Sequence, residues 1–69
     1  MIGKPLYVSD QCVEFVCNGK TRIGEIEIVD PNGTLEQNEE PSYDIFAAEE
    51  NLFCKHIRES DIIKIIDRT

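Results

Sequence analysis

Tryptophan is absent, histidine occurs once as His56, and no stretch of the 69 residues approaches the roughly 18 consecutive apolar side chains that a membrane-spanning helix needs. The opening MIGKPLYVSD also lacks the apolar segment of a signal peptide. A cytoplasmic location with no membrane partner is therefore expected. Catalytic signatures are missing too. His56 has no serine or cysteine partner in a recognised nucleophile motif, and there is no glycine-rich phosphate loop. Cys54 and His56, two apart on an expected strand, share a face on regular geometry, but a pair without oxyanion donors or a pocket makes no active site. The chain is not expected to be an enzyme, and no cofactor is implied.

Cysteine is scarce and odd in number. Cys12, Cys17 and Cys54 leave a spare thiol in any disulfide scheme, which suits a reducing compartment. Three thiols and His56 contain the donor types of a zinc site, but Cys12 and Cys17, five apart, face opposite sides of a regular strand. They read as small apolar residues, reduced and free of metal. Calcium fails on pattern. Asp30, Asn32, Thr34 and Glu36 alternate oxygen donors, yet the place that needs glycine holds Leu35 and the place that needs a bidentate glutamate holds Pro41.

The most informative absence is of positive charge. Between Glu25 and Glu50 there are nine acidic residues and no lysine or arginine, −9 over 26 residues, while the flanks carry seven basic and five acidic residues. The formal net charge of −7 is concentrated in the middle of the chain.

What is present is strand. With 41% hydrophobic and 30% charged residues, the chain has the composition of one small folded domain. QCVEFVC, residues 11–17, precedes Asn18-Gly19, the dipeptide of two-residue type I′ hairpins. That turn pairs Val13 with Gly24 and Phe15 with Arg22, so Val13, Phe15, Ile26 and Ile28 form a buried stripe and Glu14, Glu25 and Glu27 point the other way. Gly24 inside the strand marks a sharp bend or a close backbone approach. Asp30-Pro31-Asn32-Gly33 has type I turn chemistry and ends the second strand. TLEQNEEPS, residues 34–42, has only Leu35 as an apolar anchor and reads as a mobile surface loop. SYDIFAA and LFCKHI then make a second hairpin across Glu49-Glu50-Asn51, and Arg58-Glu59-Ser60-Asp61 suits a single helical turn before IIKIID. Strands are expected at 11–17, 21–29, 43–49, 52–57 and 62–67, with Val13, Phe15, Ile26, Ile28, Ile45 and Ile57 buried. Residues 1–10 read as an N-terminal extension and 11–67 as one domain.

Over residues 11–66 this order resembles the SH3-like (Src-homology-three-like) small barrel, the group that includes Tudor and KOW modules. The stretches IGEIEIVD, YDI at 43–45 and HIRESDIIKII carry the resemblance. It implies an all-β, five-stranded small barrel with one short helical turn before the last strand. Members bind proline-rich peptides, methylated side chains, RNA, ribosomes or proteins, so membership selects no ligand. A second, fainter similarity, to small proteins of bacterial mobile elements, is carried by no motif.

The ligand must come from the residues. Grooves for proline-rich peptides and cages for methylated lysine both need converging aromatics. The chain has Tyr7, Phe15, Tyr43, Phe46 and Phe53, with at least one committed to the core and with Tyr43 and Phe46 diverging on a regular strand. Carboxylates on neighbouring second and third strands build a negative face. One use is solubility and protection of strand edges. The other is docking on a basic protein surface through Glu25, Glu27, Glu39, Glu40 and Asp44, the non-catalytic interaction role expected here. The alternative is nucleic-acid binding through Lys20, Arg22, Lys55, Arg58 and Lys64 in the flanks.

Overall fold

Asn18 and Gly19 both take positive φ, 55° and 74°, so the first turn has the backbone that type I′ hairpins require. It joins β1 (Cys12–Cys17) to β2 (Lys20–Asp30) in the expected register, with Val13 opposite Gly24 and Phe15 opposite Arg22. These elements belong to a computed structural model that describes residues 4–66. Three more strands complete it: β3 (Ser42–Ala47), β4 (Leu52–Arg58) and β5 (Ile62–Ile65). Short 3-10 turns at Ala48–Glu50 and Glu59–Asp61 precede β4 and β5. The first of these ends β3 two residues earlier than the strand pattern predicts. The expected end of the last strand, at residue 67, lies outside the described residues.

All pairings are antiparallel and the strands form one sheet of order β4-β3-β2-β1-β5. β2 is the hinge of this arrangement. Its first half, to Glu25, pairs with β1, and its second half, from Glu25, pairs with β3. The handover occurs beside Gly24, where an added Cβ would lie 2.5 Å from the Phe46 carbonyl oxygen. Glycine is there because β3 crosses too closely for a side chain, the close approach expected of this position. β4 and β5 stand at the two edges, with no hydrogen-bonded pairing between them among the described residues.

The concave side of the sheet holds the core: Val13, Phe15, Ile26, Tyr43, Ile45, Ala47, Cys54, Ile57 and Ile62, with Tyr7, Cys17, Val29 and Leu52 packed against them. Strict alternation places Ile28 in this stripe, but it is 53% exposed. The register explains the difference. Ile26 pairs with Ile45 but Ile28 pairs with Asp44, so Glu27 is an extra residue on β2, and a bulge turns every later side chain to the other face. Val29 then takes the inward place opposite Tyr43. A second bulge divides β4. Ile45 pairs with Cys54 and Tyr43 with Ile57, leaving Lys55 and His56 together opposite Asp44. Cys54 is therefore buried while His56 is exposed at φ 60°, and the shared face expected for those two residues does not exist.

The β2–β3 loop begins with the expected turn, closed by Gly33 N–H donating to the Asp30 carbonyl at 3.1 Å. The rest of the loop is stitched to itself, unlike the loose segment its composition suggests. The Gln37 side-chain oxygen accepts from the Glu39 and Glu40 N–H groups at 2.8 and 3.0 Å, and its amide donates to the Glu40 carbonyl at 3.1 Å. Thr34 Oγ1 accepts from Gln37 N–H at 2.9 Å. Leu35, the expected anchor, is fully exposed. Hydrogen bonds here replace the apolar contacts that the sequence lacks.

Residues 4–10 pack against the domain. The Tyr7 ring meets Tyr43 edge to face at 5.7 Å, and Asp10 N–H donates to the Ile26 carbonyl at 2.8 Å. Glu59 in the second 3-10 turn gathers these pieces, with one carboxylate oxygen accepting from the Tyr43 hydroxyl at 2.6 Å and from Leu6 N–H at 2.8 Å. Burial, and then the bond to Glu59, push the Tyr43 phenol well above its ordinary value.

Candidate interaction surface

The two bulges decide what the convex face displays. Glu25 and Glu27 leave β2 on its exposed side, and the shift after Glu27 brings Ile28 out beside them. On β3, Asp44 lies opposite Ile28 and Phe46 lies opposite Glu25. On β4, Phe53 is the cross-strand partner of Phe46, 42% exposed, with the Lys55 ammonium 5.7 Å from its ring centre. Glu27, Ile28, Phe46 and Phe53 line a shallow depression of about 370 Å³. An apolar floor of two phenylalanines and an isoleucine thus sits among three carboxylates.

Each part has a local cause. Phe46 and Phe53 meet because the β3–β4 hairpin places them directly opposite, the spacing at which aromatic pairs associate. Asp44 is fixed by the bulge it faces: its carboxylate accepts from His56 N–H at 3.0 Å, satisfying a backbone donor that the interrupted ladder leaves over.

The five acidic residues singled out from the sequence divide. Glu25, Glu27 and Asp44 come together on the convex face of β2 and β3. Glu39 and Glu40 sit in the β2–β3 loop, and Glu40 is bound to the second 3-10 turn, accepting from Ser60 N–H at 2.8 Å and from the Ser60 hydroxyl at 3.0 Å. Glu40 therefore fastens the loop. Sequence reasoning misses the apolar members Ile28, Phe46 and Phe53: a connection of Glu49-Glu50-Asn51 alone sets Phe46 opposite Cys54, whereas the observed turn also takes in Ala48, pairs Ala47 with Leu52 and so sets Phe46 opposite Phe53.

The basic flanks do not converge. Lys20 and Arg22 both pair with Glu50, at 3.4 and 2.5 Å, while Lys55, Arg58 and Lys64 lie on β4 and β5 at opposite edges of the sheet. The Glu50 carboxylate is held below its usual range by its hydrogen bonds to Arg22 and Lys20, and Glu50 raises the Arg22 guanidinium in turn.

A larger cleft, of about 1000 Å³, lies between the β2–β3 loop and β4, where Asp30 and Glu36 face His56 and Arg58. Charges of both signs line it, so it favours no one class of charged ligand. Cys12, on the opposite face of β1 from Cys17, lines a separate hollow together with Glu25, Phe46 and Ile66. Cys12 and the exposed His56 thus stand apart from Cys17 and Cys54, which both belong to the core side.

Comparison with known proteins adds no relative: no family model, no curated protein and no solved structure matches the chain.

Proposed function

We propose that the protein is a non-catalytic interaction module whose convex face docks on a partner surface that is apolar at its centre and rich in lysine and arginine at its rim. The observation that carries this reading is the exposed Ile28 and Phe53 and the half-buried Phe46 set beside Glu25, Glu27 and Asp44. Solubility alone accounts for the carboxylates but not for clustered apolar side chains that a small monomer keeps off its surface. Burial of the two phenyl rings supplies affinity, and the carboxylates steer encounter and select the sign of the partner.

The fold supports a module of this kind. We take the sheet as the SH3-like small-barrel arrangement. The reading rests on β2 shared between both halves, on β5 returning to lie beside β1, and on a 3-10 turn just before β5.

A displayed random-peptide library tests the function directly. Selection at low salt should enrich peptides with a large apolar residue flanked by lysine or arginine, and Phe53→Ala or Glu27→Lys should abolish the enrichment. Binding should weaken as added salt shortens the Debye length from about 10 Å at 0.1 M to about 3 Å at 1 M. Enrichment of acidic peptides, or enrichment indifferent to Phe53, would overturn the proposal. The nucleic-acid alternative makes the opposite forecast: labelled single-stranded DNA or RNA should bind more tightly to Glu25→Lys and lose binding with Arg58→Glu.

A further inference from the structure

Away from the convex face, at the open end of the core, two thiols from separate strands meet beneath an arginine. Cys54 begins the buried part of β4 and belongs to the core cluster, and Cys17 ends β1 and packs against that cluster. The Cys17 side chain lies close enough to Cys54 to raise its thiol. β1 and β4 share no ladder, because β2 and β3 lie between them in the sheet, yet their backbones approach within 8 Å across the concave side. Arg22 holds this closure in place. Its Nε donates to the Cys17 carbonyl at 3.3 Å, and its outer nitrogen pairs with Glu50 at 2.5 Å, in the turn that leads into β4. One guanidinium thus clamps the end of β1 to the start of β4, with the thiols beside it.

We propose that Cys17 and Cys54 form a reversible disulfide when the protein meets a small disulfide oxidant such as oxidised glutathione, covalently joining two strands that the sheet leaves unpaired. Exposure sets the order of events. Cys17 is only half-buried, so its thiolate attacks the oxidant first, forming a mixed disulfide and releasing one glutathione thiolate. Cys54 is buried, and burial followed by the nearby Cys17 side chain pushes its thiol up to about 11, so it waits as the resolving group. On losing its proton to solvent it attacks the Cys17 sulfur, the Cys17–Cys54 bond forms, and a second glutathione thiolate leaves. The oxidant gains the electron pair that the two cysteines lose, and excess thiol reverses both exchanges. Cys12, on the other face of β1, stays reduced, which accounts for the odd cysteine.

The test treats the full chain with oxidised glutathione in native buffer, quenches with acid, alkylates the remaining thiols and maps the peptides. The expected product has one alkylated cysteine, Cys12, a Cys17–Cys54 cross-linked peptide and no glutathione. Its melting temperature should rise by several degrees and return when reductant is added. Cys54→Ala should stop the reaction at the Cys17–glutathione adduct, and Cys17→Ala should leave Cys54 unmodified while the fold persists. Glu50→Gln, which weakens the clamp, should slow closure several-fold. A wild-type chain that stays glutathionylated at Cys17, a bond that involves Cys12, or cross-linking faster in denaturant than in native buffer would each overturn the proposal.

Discussion

The two hairpins are built from similar sequence and end differently. β1 and β2 pair without interruption from Cys17 and Lys20 to Cys12 and Glu25, whereas the β3–β4 pair slips by one residue at Asp44, as does the β2–β3 pair at Glu27. The regular hairpin supplies Val13 and Phe15 to the core and sends its alternate side chains outward in strict rotation. The bulged region instead turns Ile28 and His56 to solvent and leaves an aromatic pair beside carboxylates. The regular hairpin buries its inner side chains in unbroken alternation, while the bulged pairs, which also supply Tyr43, Ile45 and Ile57 to the core, re-aim side chains onto the outer face. Bulges commonly re-aim side chains near functional sites, and these two do so on the face proposed to bind.

The sharpest way to separate the regions is to delete an aromatic from each. Phe15→Ala empties a fully buried site and should cost about 3–5 kcal/mol in chemical denaturation, enough to leave much of a 69-residue domain unfolded. Phe53→Ala should cost far less and should be read in peptide binding. Equal losses of stability would erase the distinction between inner and outer faces.

Gly24→Ala probes the junction between the regions. The new methyl meets the Phe46 carbonyl of β3, so either β3 shifts or the β2 bend opens, at about 1–3 kcal/mol. Amide exchange should show the damage at β2–β3 and spare the Asn18-Gly19 turn.

Asp44→Ala tests the bulge itself. Loss of the carboxylate leaves His56 N–H to solvent and should cost about 1 kcal/mol. Glycine at position 56 removes the strain of a side chain at φ 60° and should recover part of that loss. If the double variant is no more stable than Asp44→Ala, the carboxylate does not act through the bulge.

The smallest effect is invisible at neutral pH. The Cys54 thiol is raised from its ordinary value of 9.0 to about 11 in the folded chain, so the unfolded chain ionises first. Its contribution is full below pH 9.0 and is lost as pH rises towards about 11. The Tyr43 phenol, also raised, adds a further loss above its ordinary 10.0. Urea midpoints measured across this window should fall, and Cys54→Val should flatten the first part of the decline. Cys12→Val should leave it intact.

Much of the architecture is legible because short-range rules set it. Asn18-Gly19 fixes a turn whose length fixes the register, and the register assigns Val13, Phe15 and Ile26 to the core. Asp30-Pro31-Asn32-Gly33 closes as its chemistry requires. The candidate surface is half legible. Charge counting finds Glu25, Glu27 and Asp44, but it groups them with Glu40, which serves Ser60. Strict alternation then hides Ile28 in the core. No local signal marks Glu27 as an extra residue, since both sides of the bulge carry good strand formers.

The sequence by itself determined the strands, the first turn, the all-β class and the concentration of negative charge, because turn residues and two-residue alternation act over a few positions at a time. Only the tertiary structure decided where the ladders slip, which carboxylates stand beside Phe46 and Phe53, and that Cys17 meets Cys54. Each depends on how strands distant in the chain adjust to pack Tyr43, Ile45 and Ile57 over Phe15. A bulge is the least disruptive way to keep those side chains inward on a bent sheet, and its position is set by the packing of all the strands together.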